Sequence, residues 1–487
     1  MRALLAVLAG LVLAKAAFLL VDPDPRFFFG DSASYINAAT RGWGLRDRSS
    51  TYPFLIWLTA LPSRSLHVLV LLQSALGAVL AALLYRLLVR DLGVRAGLAA
   101  LAAVLIALEP MQLYYERTVM AETFGTGFLV AMLLAQCSYF RRPMPAKILL
   151  AVGLGLVAVS FRLSLLPTVL VLGSGFPLLW LLARPGLPAP PGGPAAHRPS
   201  GRSRPAARRI VVHFGLALLA TCALHQGYRV AYGKAVGVDP GYIASSGLFR
   251  LAWLAPLLTP GHLDRQGVPP ALLQGLAEDP GDRRSREWQM WHPEGLIARL
   301  RAARPDDADA VAGRIAGDLL RRQPSAVLAL GLATFADHFD VAYADDRMQD
   351  DLGIRPPDQR FIGQVQDLFG HDASAWRHPD GLVHRMMVAY RPVLTLQVLI
   401  APLLALALLV LARARATPSL AVLALAILGL AASNILFGHA LVFRYLHPLP
   451  PLLMVAVAVL ADAALRRRRS VDRSIVDVAD PGAQPRS

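Results

Sequence analysis

Three short stretches set ionisable side chains beside long apolar runs. The first, FFFGDSASYINAAT (27–40), carries Asp31 between Gly30 and Ser32, with Tyr35 four residues on. The second, EPMQLYYERTVMAE, runs from Glu109 and Pro110 through Tyr114, Tyr115, Glu116 and Arg117 to Glu122. The third, HALVFRYLHPLPPLL, holds His439, Arg444, Tyr445 and His447, and a lone Arg162 interrupts SFRLSLLP. Ionisable groups at membrane depth are costly and tend to line a site or cavity. One scheme uses them together. Asp31 is a general base that takes a proton from an acceptor hydroxyl, while Arg117, Arg162 and Arg444 hold a phosphate leaving group and offset its developing charge. A structural reading stands beside it: Asp31 caps a loop helix, Glu122 pairs with Arg117 across a helix turn, and Arg162 anchors a membrane interface.

The elements that must position these groups are apolar. Of 487 residues, 55% are hydrophobic and 17% charged, against about 25% charged in soluble proteins, and the mean hydropathy is +0.47. The apolar residues come in blocks of roughly 17 to 22, the length that crosses about 30 Å of hydrocarbon as helix. The pattern predicts an all-α polytopic membrane protein. The first block follows Met1 and Arg2, lacks a small-x-small cleavage site ahead of a soluble domain, and is read as a retained helix. The net charge of +16 comes from arginines gathered in short loops and the tail. That is the positive-inside pattern, with anionic membrane lipid and not nucleic acid as the partner. Cys137 and Cys222 lie in or beside apolar runs and read as buried thiols, not a disulfide framework.

Ten spans are expected, at about 3–20, 66–84, 97–113, 123–140, 147–160, 163–183, 210–227, 392–411, 418–436 and 442–462. With the N-terminus in the cytoplasm, every inward loop bears arginine. The organisation is then a transmembrane core over 1–183 with a catalytic first outer loop, in which DSASYINAA and PFLIWLTAL form short interfacial helices and Asp31 takes the N-cap position. A Pro/Gly/Arg-rich, disordered cytoplasmic linker over 184–209 follows, then a span at 210–227. Residues 228–390, with no clear spanning run, form a mainly helical outer domain. Spans over 391–465 and a cytoplasmic tail over 466–487 complete the chain.

The order of these features resembles the GT-C superfamily of membrane glycosyltransferases, most closely the bacterial branch of protein O-mannosyltransferases and lipid A aminoarabinose transferases. The resemblance rests on Asp31 in Gly30–Asp31 followed by Tyr35, on TYPFLIWL opening the second loop helix, and on Pro110, Arg117 and Glu122 after the third span. Arg162 with Pro167 after the fifth span and Arg444, Tyr445 and Pro448 before the last complete it. It covers both ends of the chain but not 184–390. It implies an inverting transferase of the bacterial inner membrane with an extracytoplasmic active site. The sugar comes from a polyprenyl-phosphate donor and passes to a hydroxyl of a lipid, glycan or protein. Asp31 is then the base, with Tyr35, Arg117, Glu122, Arg162, Arg444 and Tyr445 binding the donor phosphate or the acceptor. One displacement needs one base, not a retaining hydrolase's paired carboxylates. Ser32 stands where relatives place a second acid, so a divalent metal is admitted but not required. The absence of a nucleotide-binding glycine loop agrees with a lipid-linked donor. The reading from a different class is a transporter or flippase, which would place charges at the midplane of broken helices within repeated halves.

Two further stretches read as structural. FADHFDVAYADD, with Asp337, His338 and Asp340, has the wrong spacing for a tight zinc motif and is expected as a solvated helical face. Trp288, Trp291 and His292 are expected at the membrane interface in preference to a sugar-stacking role.

Overall fold

Apolar runs that lack a polar stripe bury their backbone groups by becoming helices, and the computed structural model is helical wherever the sequence is apolar. It describes residues 2–28, 30–42, 48–182, 207–352, 358–375, 381–438 and 440–479. Within these the chain is all-α, and the only extended pairing is a single bridge between Arg26 and Thr118. The N-terminal half comprises α1 (Arg2–Val21), α2 (Asp31–Thr40), α3 (Thr51–Leu58), α4 (His67–Arg86), α5 (Ala96–Ala107), α6 (Pro110–Tyr115), α7 (Glu122–Arg141), α8 (Pro145–Phe161) and α9 (Leu166–Gly175). After α10 (Ala207–Val236) come α11 (Ser246–Trp253), α12 (Ala308–Arg322), α13 (Pro324–Ala336), α14 (Val341–Asp351) and α15 (Gln359–Phe369). The chain returns through α16 (Leu382–Arg415), α17 (Pro418–Phe437) and α18 (Leu449–Ala479).

Eight helices among the described residues are long and apolar enough to cross a membrane. Their outward faces are apolar: Leu13 on α1 is 71% exposed and Leu403 on α16 is 65% exposed. A contiguous exposed apolar surface of this kind suits lipid, not water. The expected third and fifth spans are the two shorter apolar helices, α5 and α8. One further candidate lies within 228–390. Pro324–Phe339 and Val341–Asp351 together pass the same length and composition test, bent by 87° at their junction, which makes a ninth candidate span. The polar residues at that bend interrupt the run and hide it from a reading of uninterrupted hydrophobicity.

The most enclosed crossing helix is α7, which packs along α8 and against α4 and α17. Residues 248–327 carry a separate apolar core built around α11 and α12. A third cluster joins α2 and α3 to α15: Tyr35, Ile36, Tyr52 and Ile56 meet Phe361, Val365 and Phe369. The two expected loop helices are therefore formed, and α15 covers them. Phe54 and Trp57 on α3 are exposed, as an interfacial helix requires. The linker placed at 184–209 falls almost wholly outside the described residues.

Candidate active site

The approach to the site is set by two backbone strips lying side by side. Arg26 N–H donates to the Arg117 carbonyl at 2.8 Å, and Val119 N–H donates to the Arg26 carbonyl at 2.8 Å. Ser32, fully buried, closes the joint: its hydroxyl donates to the Val119 carbonyl at 3.0 Å and accepts from Phe28 N–H at 2.8 Å. A carboxylate could not donate that first bond. The first two polar stretches of the sequence are thereby fixed to one another.

Asp31 is the first residue of α2, and the N-cap is Gly30 at φ +77°. This corrects the expected capping role: there is no side-chain cap, because Gly30 makes the left-handed turn and frees the carboxylate. Asp31 instead pairs with two guanidiniums, Oδ1 with Arg48 and Oδ2 with Arg444. The Arg48 guanidinium also lies 5.8 Å from the Tyr35 ring centroid, so the Asp31/Tyr35 face expected at i,i+4 spacing is formed. Arg444 sits 4.4 Å over the Phe28 ring and 5.3 Å from the Tyr445 ring. Arg162 lies 5.3 Å from Tyr445 and pairs with Glu122 at 2.6 Å. Tyr445 thus stands between the two arginines as an aromatic spacer, a favourable position for cations.

The remaining supports are local. Ser49, next to Arg48, donates to the Ser160 carbonyl, tying the Arg48 segment to the end of α8 beside Arg162. Gly125 lets the Arg162 stem lie against α7, where a Cβ would collide with it. Asp31 and Glu122 each begin a helix, where the unpaired N–H groups favour negative charge. Burial pushes the Asp31 carboxyl up, but the facing charges of Arg444, Arg48 and Arg162 outweigh it and hold the group below its ordinary range. It is ionised at neutral pH. Burial, reinforced by Asp31 and Glu122, pushes the Tyr35 hydroxyl upward and keeps it protonated.

Arg48, Arg162 and Arg444 gather around Asp31 and Glu122, and the buried Asp351 carboxyl adds to the field at Arg444. Glu122, Thr126, Arg162, Ser164, Arg444 and His447 converge beside this cluster on a crevice too narrow to admit a water. Arg162 Nη2, Arg444 Nε and Glu122 Oε2 are buried without a hydrogen-bond partner. Orphaned charged donors in a buried site are costly, and an oxyanion could accept from both arginines.

Of the expected residues, Asp31, Tyr35, Glu122, Arg162, Arg444 and Tyr445 come together. Arg117 does not. It is fully buried, donating to the Asp22 carbonyl at 2.8 Å and the Leu113 carbonyl at 2.9 Å, and Glu122 pairs with Arg162 in its place. Glu109 is an N-cap that accepts from Met111 and Gln112 N–H. His439 lies outside the described residues. Arg48 was missed, because one arginine in a polar loop carries no periodic signal. A buried polar chain was missed too. Thr126 contacts His447 Nδ1 at 2.9 Å, His447 Nε2 contacts the Gln112 side-chain oxygen Oε1 at 2.9 Å, and Gln112 Nε2 donates to Glu116 Oε1 at 2.8 Å. Glu116 in turn pairs with Lys15 of α1 at 2.6 Å.

Elsewhere, 335–346 is a solvated face in part: Asp340, Asp345 and Asp346 are exposed, but Asp337 and His338 are buried, and Asp337 pairs with Arg283 and Arg284. Trp288 stacks on His292 at 4.5 Å, while Trp291 is exposed. Cys137 is buried as expected, but Cys222 is exposed on α10. No group of three or more His, Cys, Asp or Glu side chains poised to hold a metal occurs among the described residues. No protein-family model, curated protein or solved structure matches the chain.

Proposed function

We propose that this protein is an inverting, GT-C type glycosyltransferase that moves a sugar from a polyprenyl-phosphate donor to an acceptor hydroxyl on the extracytoplasmic side of a bacterial inner membrane. The observation that carries the reading is the cluster itself: an ionised Asp31 beside Arg162 and Arg444, which keep unused buried donors at Nη2 and Nε respectively. A polyprenyl-phosphate sugar is a phosphodiester whose anionic oxygens can accept from those donors.

In the proposed step the acceptor oxygen forms a bond to the anomeric carbon and its proton passes to Asp31. The bond from the anomeric carbon to the phosphate oxygen breaks, and its electron pair leaves on a phosphate that becomes a dianion. Arg162 and Arg444 stabilise that growing charge. Arg48 and Arg444 hold Asp31 in the resting state, and an arriving phosphate competes for Arg444. Donor binding therefore loosens the ion pairing that restrains the base.

The test is sugar transfer from a panel of radiolabelled polyprenyl-phosphate sugars, with membranes containing wild type or Asp31→Asn. The expected result is transfer by wild type and a loss of at least about 100-fold in the variant at equal abundance. Equal rates would remove Asp31 as the base. The buried Lys15–Glu116–Gln112–His447–Thr126 chain favours a second reading, a transporter or flippase, since intramembrane ionisable groups also mark transport paths. Flip of a fluorescent polyprenyl-phosphate lipid in proteoliposomes without any transfer would select it.

A further inference from the structure

The face of α2 that turns away from Arg48 borders a second, larger cavity, about 460 Å³. Ser34 and Asn37 on α2 and Arg41 at its C-cap line it from one side, and Asp358, Arg360, Phe361 and Gln364 from the other. Asp358 is occupied as the N-cap of α15. Arg41 and Arg360 are exposed, come from opposite walls, and make no ion pair among the described residues. Phe361, packed edge-on against Phe27 at 5.4 Å, adds an aromatic wall. The cleft follows α2 from Ala33 to Arg41, about 12 Å at the helical rise per residue.

We infer that this cleft binds an anionic, hydroxyl-rich saccharide, the acceptor's own glycan portion. Two guanidiniums from separate elements bracket carboxylate or phosphoryl groups. The Asn37 and Gln364 amides and the Ser34 hydroxyl supply the mixed donors and acceptors that sugar hydroxyls need. The inference rests on the transferase reading for the ligand's role but not for its binding. The crevice between Arg162 and Arg444 shares no lining residue with this cleft.

The experiment is direct binding of a trigalacturonate oligosaccharide, with neutral trigalactose as its control, to protein in phosphatidylcholine nanodiscs. Wild type is expected to bind the uronate at least about tenfold tighter than the neutral sugar, with affinity falling as salt rises. Arg41→Gln/Arg360→Gln should lose that preference and Arg444→Ala should retain it, with thermal midpoints confirming that each variant is folded. Equal binding of the two sugars, or an unchanged preference in the double variant, overturns the inference. So does loss of uronate binding when phosphatidylglycerol is added to the nanodiscs, because a lipid headgroup is then the occupant. Binding without any sugar transfer would leave the cleft assigned and sink the transferase reading alone.

Discussion

A carboxylate buried near three guanidiniums is easily ionised and, for the same reason, a reluctant base. Asp31 shows both sides: the fields of Arg444, Arg48 and Arg162 exceed the upward push of burial. Removing one of these cations removes stabilisation of the charged form, so the pKa rises and the ionised fraction at mildly acidic pH falls. Arg48→Gln is therefore expected to move the acid limb of the kcat/KM profile upward by about one unit or more. An unmoved limb would separate Arg48 from the base. The neighbouring pair behaves differently. Arg162 and Glu122 are 11% and 1% exposed, and deleting one partner strands a buried charge. Arg162→Ala should destabilise the protein by on the order of 3–5 kcal/mol, and Arg162→Gln/Glu122→Gln by clearly less, as read by thermal melting in detergent. Equal losses would show that the charge pairing is not what matters there. At this scale the sequence disclosed the acids and arginines that stand out against apolar runs, Asp31, Arg162 and Arg444 among them. It misplaced Arg117, because 116–121 is a break between α6 and α7 and not a continuous helical face. Spacing arguments fail across such a break.

Helices were legible where apolar length alone decides them, and less so where polar groups interrupt the run. The 12 residues of α5 rise only about 18 Å, and the 34 residues of α16 about 51 Å, so one falls short of the hydrocarbon and the other extends beyond it. Pro392 and Pro402 lie inside α16 without ending it, as membrane helices tolerate when their neighbours compensate. Helix-to-helix fit was not visible at all. Gly77 on α4 is an example: a Cβ there would collide with the Glu116 carboxylate and press on the Gln112 amide. The small residue makes room for the Lys15–Glu116 pair that joins α1 to α6. Gly77→Ala is expected to lower the thermal midpoint, at a cost of about 1–3 kcal/mol. Gly153→Ala on α8, where open space surrounds the new methyl, should change little. Similar midpoints for the two variants would mean that the pair gives way at no cost and is not a rigid link between those helices.

Across the whole molecule, the charge distribution and the packing have to agree on one orientation. Arg86, Arg90, Arg95, Arg141 and Arg142 sit at the ends of α4, α5, α7 and α8 away from Asp31, and Arg413, Arg415 and Arg466 mark the same end of the later spans. Asp91 and Asp462 at that end are partnered by Arg141 and Arg95, yet the arginines outnumber them. Short positive loops stay in the cytoplasm. The end holding Asp31, Glu122 and Arg444 then faces outward, together with the 248–327 core. That orientation is an inference from charge and can be tested without any substrate. In a Cys222→Ala background, which removes the exposed thiol, single cysteines are placed at Arg142 and at Asp306, both exposed. A membrane-impermeant maleimide applied to intact spheroplasts should label Asp306→Cys and spare Arg142→Cys until the membrane is opened. The opposite pattern would place the Asp31 cluster in the cytoplasm, where soluble nucleotide sugars are available, and a lipid-linked donor would lose its rationale. Labelling of both positions in intact cells would show that the bundle crosses an even number of times between them, in conflict with arginines as the inward marker. The same measurement therefore bears on the chemistry, because the side of the membrane decides which donors can reach the site.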